Sequence, residues 1–240
     1  GTNINVRCGS TNITALCKKV VEHSADIGIA HDGDADRVLA VDSKGKVVDG
    51  DKIMAICAKH LKDKGKLPLN TVVATVMSNL GFHEAMKNCG IKTLTTKVGD
   101  RYVLEEMIKS GAKLGGEQSG HIIFLEYNTT GDGVLTAVQL LSILKETGRT
   151  IEELAGEIPE YPQVLKNVRV SDKHKIMNSD ELELAIAEME KFLGNEGRVL
   201  VRASGTEPLI RVMVEAKGAD KLKFAIDELV SVVERIDREK

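Results

Sequence analysis

The sequence predicts an α/β protein in three parts. These are a partial α/β domain at residues 1–67, a complete mixed-sheet α/β domain at 68–160 and a small C-terminal α+β domain at 161–240. Three observations carry this reading. Short apolar strands alternate with amphipathic helices through the middle of the chain, the pattern of βαβ units and a mainly parallel sheet. The last third instead alternates with period two, most cleanly in "LIRVMVEA", before a long amphipathic helix. Two breaks, "KDKGKLP" and "GEIPEYPQ", gather charge, glycine and proline between the parts.

Taken in order, Asn12 to His23 fits a helix with Ile13, Leu16, Val20 and Val21 on one side. "ADIGIA" is a short apolar strand, and "RVLAVDSKGKVVD" a hairpin turning at Ser43-Lys44-Gly45. Asp49 or Asp51 caps the next helix, through Met54, Ile56, Ala58 and Leu61. "TVVATVM" is a buried strand, and Ser78 or Asn79 caps a helix that Gly90 stops. "KTLTTKV" is the next strand, and Asp100 caps a helix bearing Val103, Leu104, Met107 and Ile108. "AKLGGEQSG" reads as a loop before the strand "HIIFLEY", and Asp132 caps a helix with Leu135, Val138, Leu141 and Leu144 on its apolar side. The C-terminal part has the strands "VLKNVRV", "RVLVRAS" and "LIRVMVEA". Its helices run through Leu182, Ile186, Met189 and Leu193, and through Leu222, Ile226, Leu229, Val233 and Ile236.

Composition excludes several classes. A net charge of −3 offers no basic excess for nucleic acid, and 3% aromatic residues without tryptophan offer no base-stacking platform. The cysteines, Cys8, Cys17, Cys57 and Cys89, form no CxxC pair, so free thiols in a reducing cytoplasm are expected. No apolar run is long enough for a bilayer, and "GTNINVRCGS" has no signal-peptide core. The absence of a starting methionine suggests a chain cut from a longer one.

"HDGDADR" (His31–Arg37) crowds Asp32, Asp34 and Asp36 into one loop after an apolar strand, where α/β sheets place their sites. Like charges this close raise one another's pKa unless a cation lies among them. A hard divalent cation wants several oxygen ligands, and Mg²⁺ suits the residues best because it takes few carboxylates and is often completed by a phosphate oxygen. An EF-hand fails on spacing: its glycine and glutamate positions, counted from Asp32, fall on Arg37 and Ser43. The plain alternative is a solvated acidic turn, as Asp49-Gly50-Asp51 is read to be.

Three further loops carry chemistry-bearing residues. "GGEQSGH" (Gly115–His121) offers Glu117, Ser119 and His121 to a polyhydroxylated ligand; the alternative is a polar turn with a half-buried histidine. "RASGTEPLIR" sets Arg202 and Arg211 around Ser204, Gly205 and Thr206, a phosphate-binding combination of guanidinium forks, hydroxyls and exposed backbone N–H groups. It lacks the Gly-Lys-Ser/Thr of a Walker loop, and an ordinary glycine turn is its alternative. In "TKVGDRYV", Lys97 and Arg101 flank a strand-to-helix turn where an anion could bind the helix N-terminus, or where Asp100 simply caps.

With these loops in order, the chain resembles the α-D-phosphohexomutase superfamily, and most closely its bacterial glucosamine branch. "INVRCGSTN", "ADIGIAHDGDADR", "TVMSNLGF", "VGDRYV", "GGEQSGHIIF", "TGDGVLTA" and "VRASGTEPLIRVMVEA" carry the resemblance over nearly the whole chain. Gln118 favours the glucosamine branch, since phosphomannomutase/phosphoglucomutase relatives typically have Met there. The resemblance implies interconversion of glucosamine 6-phosphate and glucosamine 1-phosphate through a phosphoserine and a hexosamine 1,6-bisphosphate intermediate, on the route to UDP-N-acetylglucosamine and peptidoglycan. It implies Asp32, Asp34 and Asp36 as Mg²⁺ ligands, Arg37 beside the transferring group, and Glu117, Ser119 and His121 at the sugar. Arg202, Ser204, Gly205, Thr206 and Arg211 would hold the non-reacting phosphate. The expected partners are small-molecule sugar phosphates, with neither nucleic acid nor membrane.

The family nucleophile sits in a Ser-His-Asn-Pro type loop, which this sequence does not contain; Ser10, Ser78, Ser119 and Ser204 fall in other motifs. The chain is therefore read as beginning inside the second of four family domains. A non-catalytic sugar-phosphate-binding module is one alternative, and a phosphatase using the metal loop is another. Such a cut leaves a sheet edge and apolar surface uncovered. Roughly the first 65 residues, a length set by the domain-size prior, are expected to be less stable than the rest, or to pair with another chain as in a homodimer.

Overall fold

The computed structural model describes residues 1–238. These form two compact units, Gly1–Pro159 and Glu160–Lys240. The first contains α1 (Thr14–Glu22), β1 (Ile27–His31), β2 (Val38–Asp42), β3 (Val47–Val48), α2 (Gly50–Asp63), β4 (Thr71–Thr75) and α3 (Leu80–Asn88). It continues with β5 (Lys92–Thr96), α4 (Asp100–Ser110), β6 (Leu114–Gly116), β7 (Ile122–Phe124), α5 (Gly133–Thr147) and α6 (Ile151–Gly156). The second contains β8 (Gln163–Arg169), α7 (Lys173–Met177), α8 (Asp180–Leu193), β9 (Gly197–Ala203), β10 (Leu209–Ala216) and α9 (Ala219–Arg238).

In the first unit β1-β2-β3 is an antiparallel sheet, with the hairpin turning after Asp42, whose Oδ1 accepts from the Lys44 and Lys46 N–H groups. The second sheet runs β5-β4-β6-β7. It is parallel from β5 through β6, and β7 closes it antiparallel to β6. The expected mixed sheet thus forms, and "KLGG", read as loop, supplies one of its strands. Three residues, two of them glycine, carry no period to mark a strand. Helix α6 likewise went unassigned, although Thr150 and Glu153 form a complete capping box.

The expected break near Leu67 lies inside one apolar core. Val38 of β2, Ile53 to Ala58 of α2, Val72 of β4, Phe82 of α3 and Leu140 of α5 belong to a single buried cluster, and Leu67 is itself a member. Nine consecutive residues of α2, Gly50 to Ala58, are buried, so this helix packs with the segment that follows it. A polar Lys-Asp-Lys-Gly run at a helix end resembles a linker, yet it needs only solvent on one side. The cysteines are free thiols, and burial pushes Cys57 up to about 12, so it packs as an apolar side chain.

Two helices differ from expectation. Helix α5 buries Thr136, Ala137, Leu140 and Ile143, whereas Val138 and Leu141 are 57% and 41% exposed. Its sequence is apolar nearly all round, so periodicity selects no face; Asp132, accepting from the Leu135 N–H at 2.8 Å, sets the entry instead. In α4 the N-cap is Gly99 at φ 131°, and Asp100 turns its Oδ1 onto the adjacent Arg101 N–H at 2.7 Å rather than capping.

The second unit has the expected antiparallel sheet, in the order β8-β10-β9. Ile210, Val212 and Val214 of β10 pack with Leu222, Ile226, Leu229, Val233 and Ile236 of α9 in one cluster. On the other face of β10, Glu215 is fully buried and accepts from Arg198 Nε at 2.7 Å. Helix α7, too short for periodicity to mark, begins where Asp172 accepts from the His174 and Lys175 N–H groups.

Near the N-terminus burial is sparse. Val20 is the one buried residue of α1, and Ile4, Val6 and Val21 are more than half exposed. We predict fast amide hydrogen exchange for residues 1–24 and strong protection for β2 and α2, because local opening free energy follows buried contact; equal protection across these segments would refute this. Between β1 and β2, Ala35 adopts φ 59° and its carbonyl accepts from the Gly133 N–H at 2.9 Å. A non-glycine residue there is strained, so Ala35→Gly should raise unfolding stability by about 0.5–1 kcal/mol, read as a higher urea midpoint at unchanged slope.

Candidate functional site

The aspartate loop lies between β1 and β2, and β1's alternating burial leads the chain into it. One ligand atom from each of Asp32, Asp34 and Asp36 lies within 4.8 Å of the other two. Opposite oxygens around a divalent cation held at roughly 2.0–2.6 Å are spaced about 4–5 Å apart, so the cluster fits one. Asp36 Oδ1 is buried without a hydrogen-bond partner, which a cation would satisfy. Burial raises the Asp36 pKa, and hydrogen bonding and charge from Asp32 raise it further, with Asp34 adding to this and His121 opposing it. With no cation, then, this carboxyl makes the fold less stable as pH rises from the ordinary aspartate value through the raised one.

Arg37 closes the loop. Its Nε lies 3.7 Å from both Asp32 Oδ2 and Asp36 Oδ1, and its N–H donates to Asp32 Oδ1 at 3.3 Å. Its main chain also bridges His121, which brings the loop "GGEQSGH" alongside. His121 is 3% exposed; its Nε2 accepts from the Gly131 N–H at 3.2 Å and lies 3.7 Å from Asp36 Oδ2. An accepting Nε2 places the ring proton on Nδ1.

The other residues of that loop are also anchored. Glu117 Oε1 accepts from the Gly99 N–H at 3.0 Å, which ties the loop to the turn before α4. Gln118 donates from Nε2 to Asp49 Oδ2 at 3.2 Å, and its carbonyl accepts from the Gly50 N–H at 3.0 Å. Ser119 is exposed. Of the Asp49-Gly50-Asp51 aspartates, Asp49 caps α2 through the Lys52 N–H as expected and also anchors Gln118. Asp51 is 2% exposed and accepts from the Asn79 N–H at 2.7 Å. Lys97 and Asp100 are exposed, and Arg101 pairs along its own helix with Glu105 at 2.7 Å, so the structure does not gather these three into an anion site. Asp100, Arg101 and His121 do line a cavity of about 200 Å³ with Thr129 and Thr130.

In the second unit Arg202 and Arg211 sit directly opposite each other on β9 and β10. Burial, and then the charge of Arg211, hold the Arg202 pKa below its ordinary value. Arg211 Nε is buried without a hydrogen-bond partner. Glu207, 3.8 Å from Arg211, is the carboxylate beside them, and two guanidiniums so placed could also take an anion. Between them Ser204 is buried, its Oγ accepting from the Glu207 N–H at 3.3 Å, while Gly205 and Thr206 are exposed. Sequence reasoning missed Lys173, whose Nζ donates to the carbonyls of Ser204 at 2.6 Å and Glu207 at 3.0 Å. Nothing in the sequence flags a residue 31 positions away from the loop it touches. Asp49 was visible in the sequence as a helix cap, but not as the anchor of Gln118.

Two family models match the chain: phosphoglucomutase/phosphomannomutase α/β/α domain III over residues 49–161, and the C-terminal domain of the same family over residues 165–231. A phosphoglucosamine mutase of Desulforamulus reducens is 57% identical over 98% of this chain, and one of Carboxydothermus hydrogenoformans 61% identical over 98%. The chain spans 53% of each of those relatives, about half their length. In fold it is similar to a phosphoglucomutase/phosphomannomutase family protein of Burkholderia thailandensis, with a TM-score of 0.79 at 22% identity over 96% of this chain and 51% of that one. It is similar as well to Aspergillus fumigatus N-acetylphosphoglucosamine mutase, solved with GlcNAc-6P and magnesium, with a TM-score of 0.77 at 21% identity over 97% and 54%. No described helix is long and apolar enough to cross a membrane. Two matched domains in family order, and 55–61% identity to phosphoglucosamine mutases, establish that the chain belongs to the α-D-phosphohexomutase superfamily.

Proposed function

We propose that this chain is part of a phosphoglucosamine mutase that interconverts glucosamine 6-phosphate and glucosamine 1-phosphate, through a phosphoserine and a hexosamine 1,6-bisphosphate, in a cytoplasmic route to UDP-N-acetylglucosamine and peptidoglycan. The observation that carries this is the 57–61% identity, along 98–99% of the chain, to proteins of that description. The alternative in the same superfamily is a phosphomannomutase/phosphoglucomutase. The bond from Gln118 to Asp49 favours the glucosamine branch, because the methionine typical of the other has no N–H to donate. We place the start of the third family domain at Asp49, in line with the buried face of α2 and the matched range.

In this reading Asp32, Asp34 and Asp36 hold Mg²⁺, which when bound stabilises negative charge on the transferring phosphoryl group. Arg37, already beside two of those carboxylates, adds positive charge next to that group. Glu117, Ser119 and His121 contact sugar hydroxyls. Arg202, Ser204, Gly205, Thr206 and Arg211 grip the non-reacting phosphate, so that binding energy remote from the reaction serves orientation.

No serine among these residues is assigned to carry the phosphoryl group. Ser78 and Ser204 are buried, the latter with its hydroxyl engaged, and Ser119 belongs to the sugar loop. The 240 residues alone are therefore expected to be inactive in a coupled mutase assay with Mg²⁺ and glucosamine 1,6-bisphosphate; robust turnover would overturn that assignment. Phosphate release from glucosamine 6-phosphate that disappears in Asp34→Ala would instead support a phosphatase. For the metal loop, calorimetric titration should detect Mg²⁺ binding that Asp34→Ala weakens by at least roughly ten-fold, the loss expected for one of few charged ligands. Unchanged binding would remove Asp34 from the site.

A further inference from the structure

We propose that Lys173 is a positioning residue of the phosphate loop, fixing the peptide that presents the Gly205 N–H to the anion. The proposal rests on the reading of residues 202–211 as a phosphate site and goes beyond it, because Lys173 lies outside that segment and in a different element.

Lys173 donates to two carbonyls, Ser204 and Glu207, that bracket the exposed pair Gly205 and Thr206. In a trans peptide the C=O and the following N–H point in opposite directions. A Ser204 carbonyl turned onto the ammonium therefore aims the Gly205 N–H away from it. The Glu207 carbonyl precedes Pro208, which has no N–H, so that second bond anchors the loop without presenting a donor. A Cβ placed on Gly205 would meet nothing within 4 Å, so the ground around this amide is open to a ligand.

The ammonium itself is well anchored. Lys173 is half-buried at the first position of α7, where Asp172 caps the neighbouring N–H groups and Ile176 is fully buried. Just before it, Ser171 donates from its N–H and its Oγ to Asp237 Oδ1 at 2.8 and 2.6 Å. Lys173 is also a third positive charge on a loop that already holds Arg202 opposite Arg211. Among the described residues the carboxylate against these cations is the exposed Glu207, 3.8 Å from Arg211, so the loop keeps a positive excess that suits a bound phosphate.

The test is titration of the 240-residue chain with inorganic phosphate and with glucosamine 6-phosphate, followed by calorimetry and by the Gly205 and Thr206 amide resonances. Lys173→Met should weaken binding roughly ten-fold, the scale of a lost charge-assisted hydrogen bond, and displace the Gly205 amide. Lys173→Arg should recover most of the affinity. If Lys173→Met unfolds the chain, Lys173→Gln decides: lowered affinity supports the proposal, and wild-type affinity overturns it. Wild-type affinity in a folded Lys173→Met chain, alongside a loss in Arg202→Gln, would make Lys173 a structural residue only. Failure of the unsubstituted chain to bind either probe would remove the phosphate reading, and this proposal with it.

Discussion

The aspartate loop keeps its shape through main-chain contact with two segments distant in sequence. The Val38 N–H donates to the Gly120 carbonyl at 3.1 Å, and the Gly133 N–H to the Ala35 carbonyl at 2.9 Å. Both contacts require glycine: a Cβ at Gly120, whose φ is +94°, would fall on the Val38 carbonyl, and one at Gly133 on the Arg37 carbonyl. Backbones that approach this closely leave no slack, so the positive φ of Ala35 is held rather than relaxed. The aspartate loop, the loop Gly115–His121 and the N-terminus of α5 are thus tied together by close main-chain contact.

Charge follows a matching logic in each unit. The first concentrates three carboxylates within 4.8 Å and leaves one of their oxygens buried without a partner. The second opposes two guanidiniums across a strand pair and leaves an Arg211 Nε in the same condition. A fold under selection for stability alone would have paired such groups internally, as the second unit does for Glu215 with Arg198 at 2.7 Å. The contrast inside one sheet is informative. Glu215 has a close guanidinium partner, whereas Arg211 reaches a carboxylate only at 3.8 Å, through Glu207, and its Nε stays unbonded.

Much of this was legible in the sequence, for reasons that differ by element. The strands of the second unit and the apolar face of α9 carried strong periodicity, and both burial and pairing follow it. The aspartate loop was legible because three carboxylates recur at alternate positions, and the Arg202–Arg211 loop because two arginines flank a Ser-Gly-Thr turn. Besides the short helices α6 and α7, three features escaped for instructive reasons. Strand β6 is two-thirds glycine, and only its neighbours β4 and β7 make it a strand. The buried face of α5 was set by packing, since Val138 and Leu141 are as apolar as Leu140 and Ile143. Lys173 acts across 31 residues, a separation at which local pattern carries no information.

The polar groups of the loop Gly115–His121 are largely engaged with the protein itself. Glu117 is tied to the Gly99 N–H, Gln118 to Asp49 and His121 to the Gly131 N–H, each partner contributed by a different segment. This arrangement costs the loop little of its capacity, because a carboxylate has about four acceptor sites and Glu117 is seen using one. The gain is entropic: side chains fixed beforehand need not be ordered on binding, and a rotamer-rich side chain costs roughly 0.5–1.5 kcal/mol to immobilise.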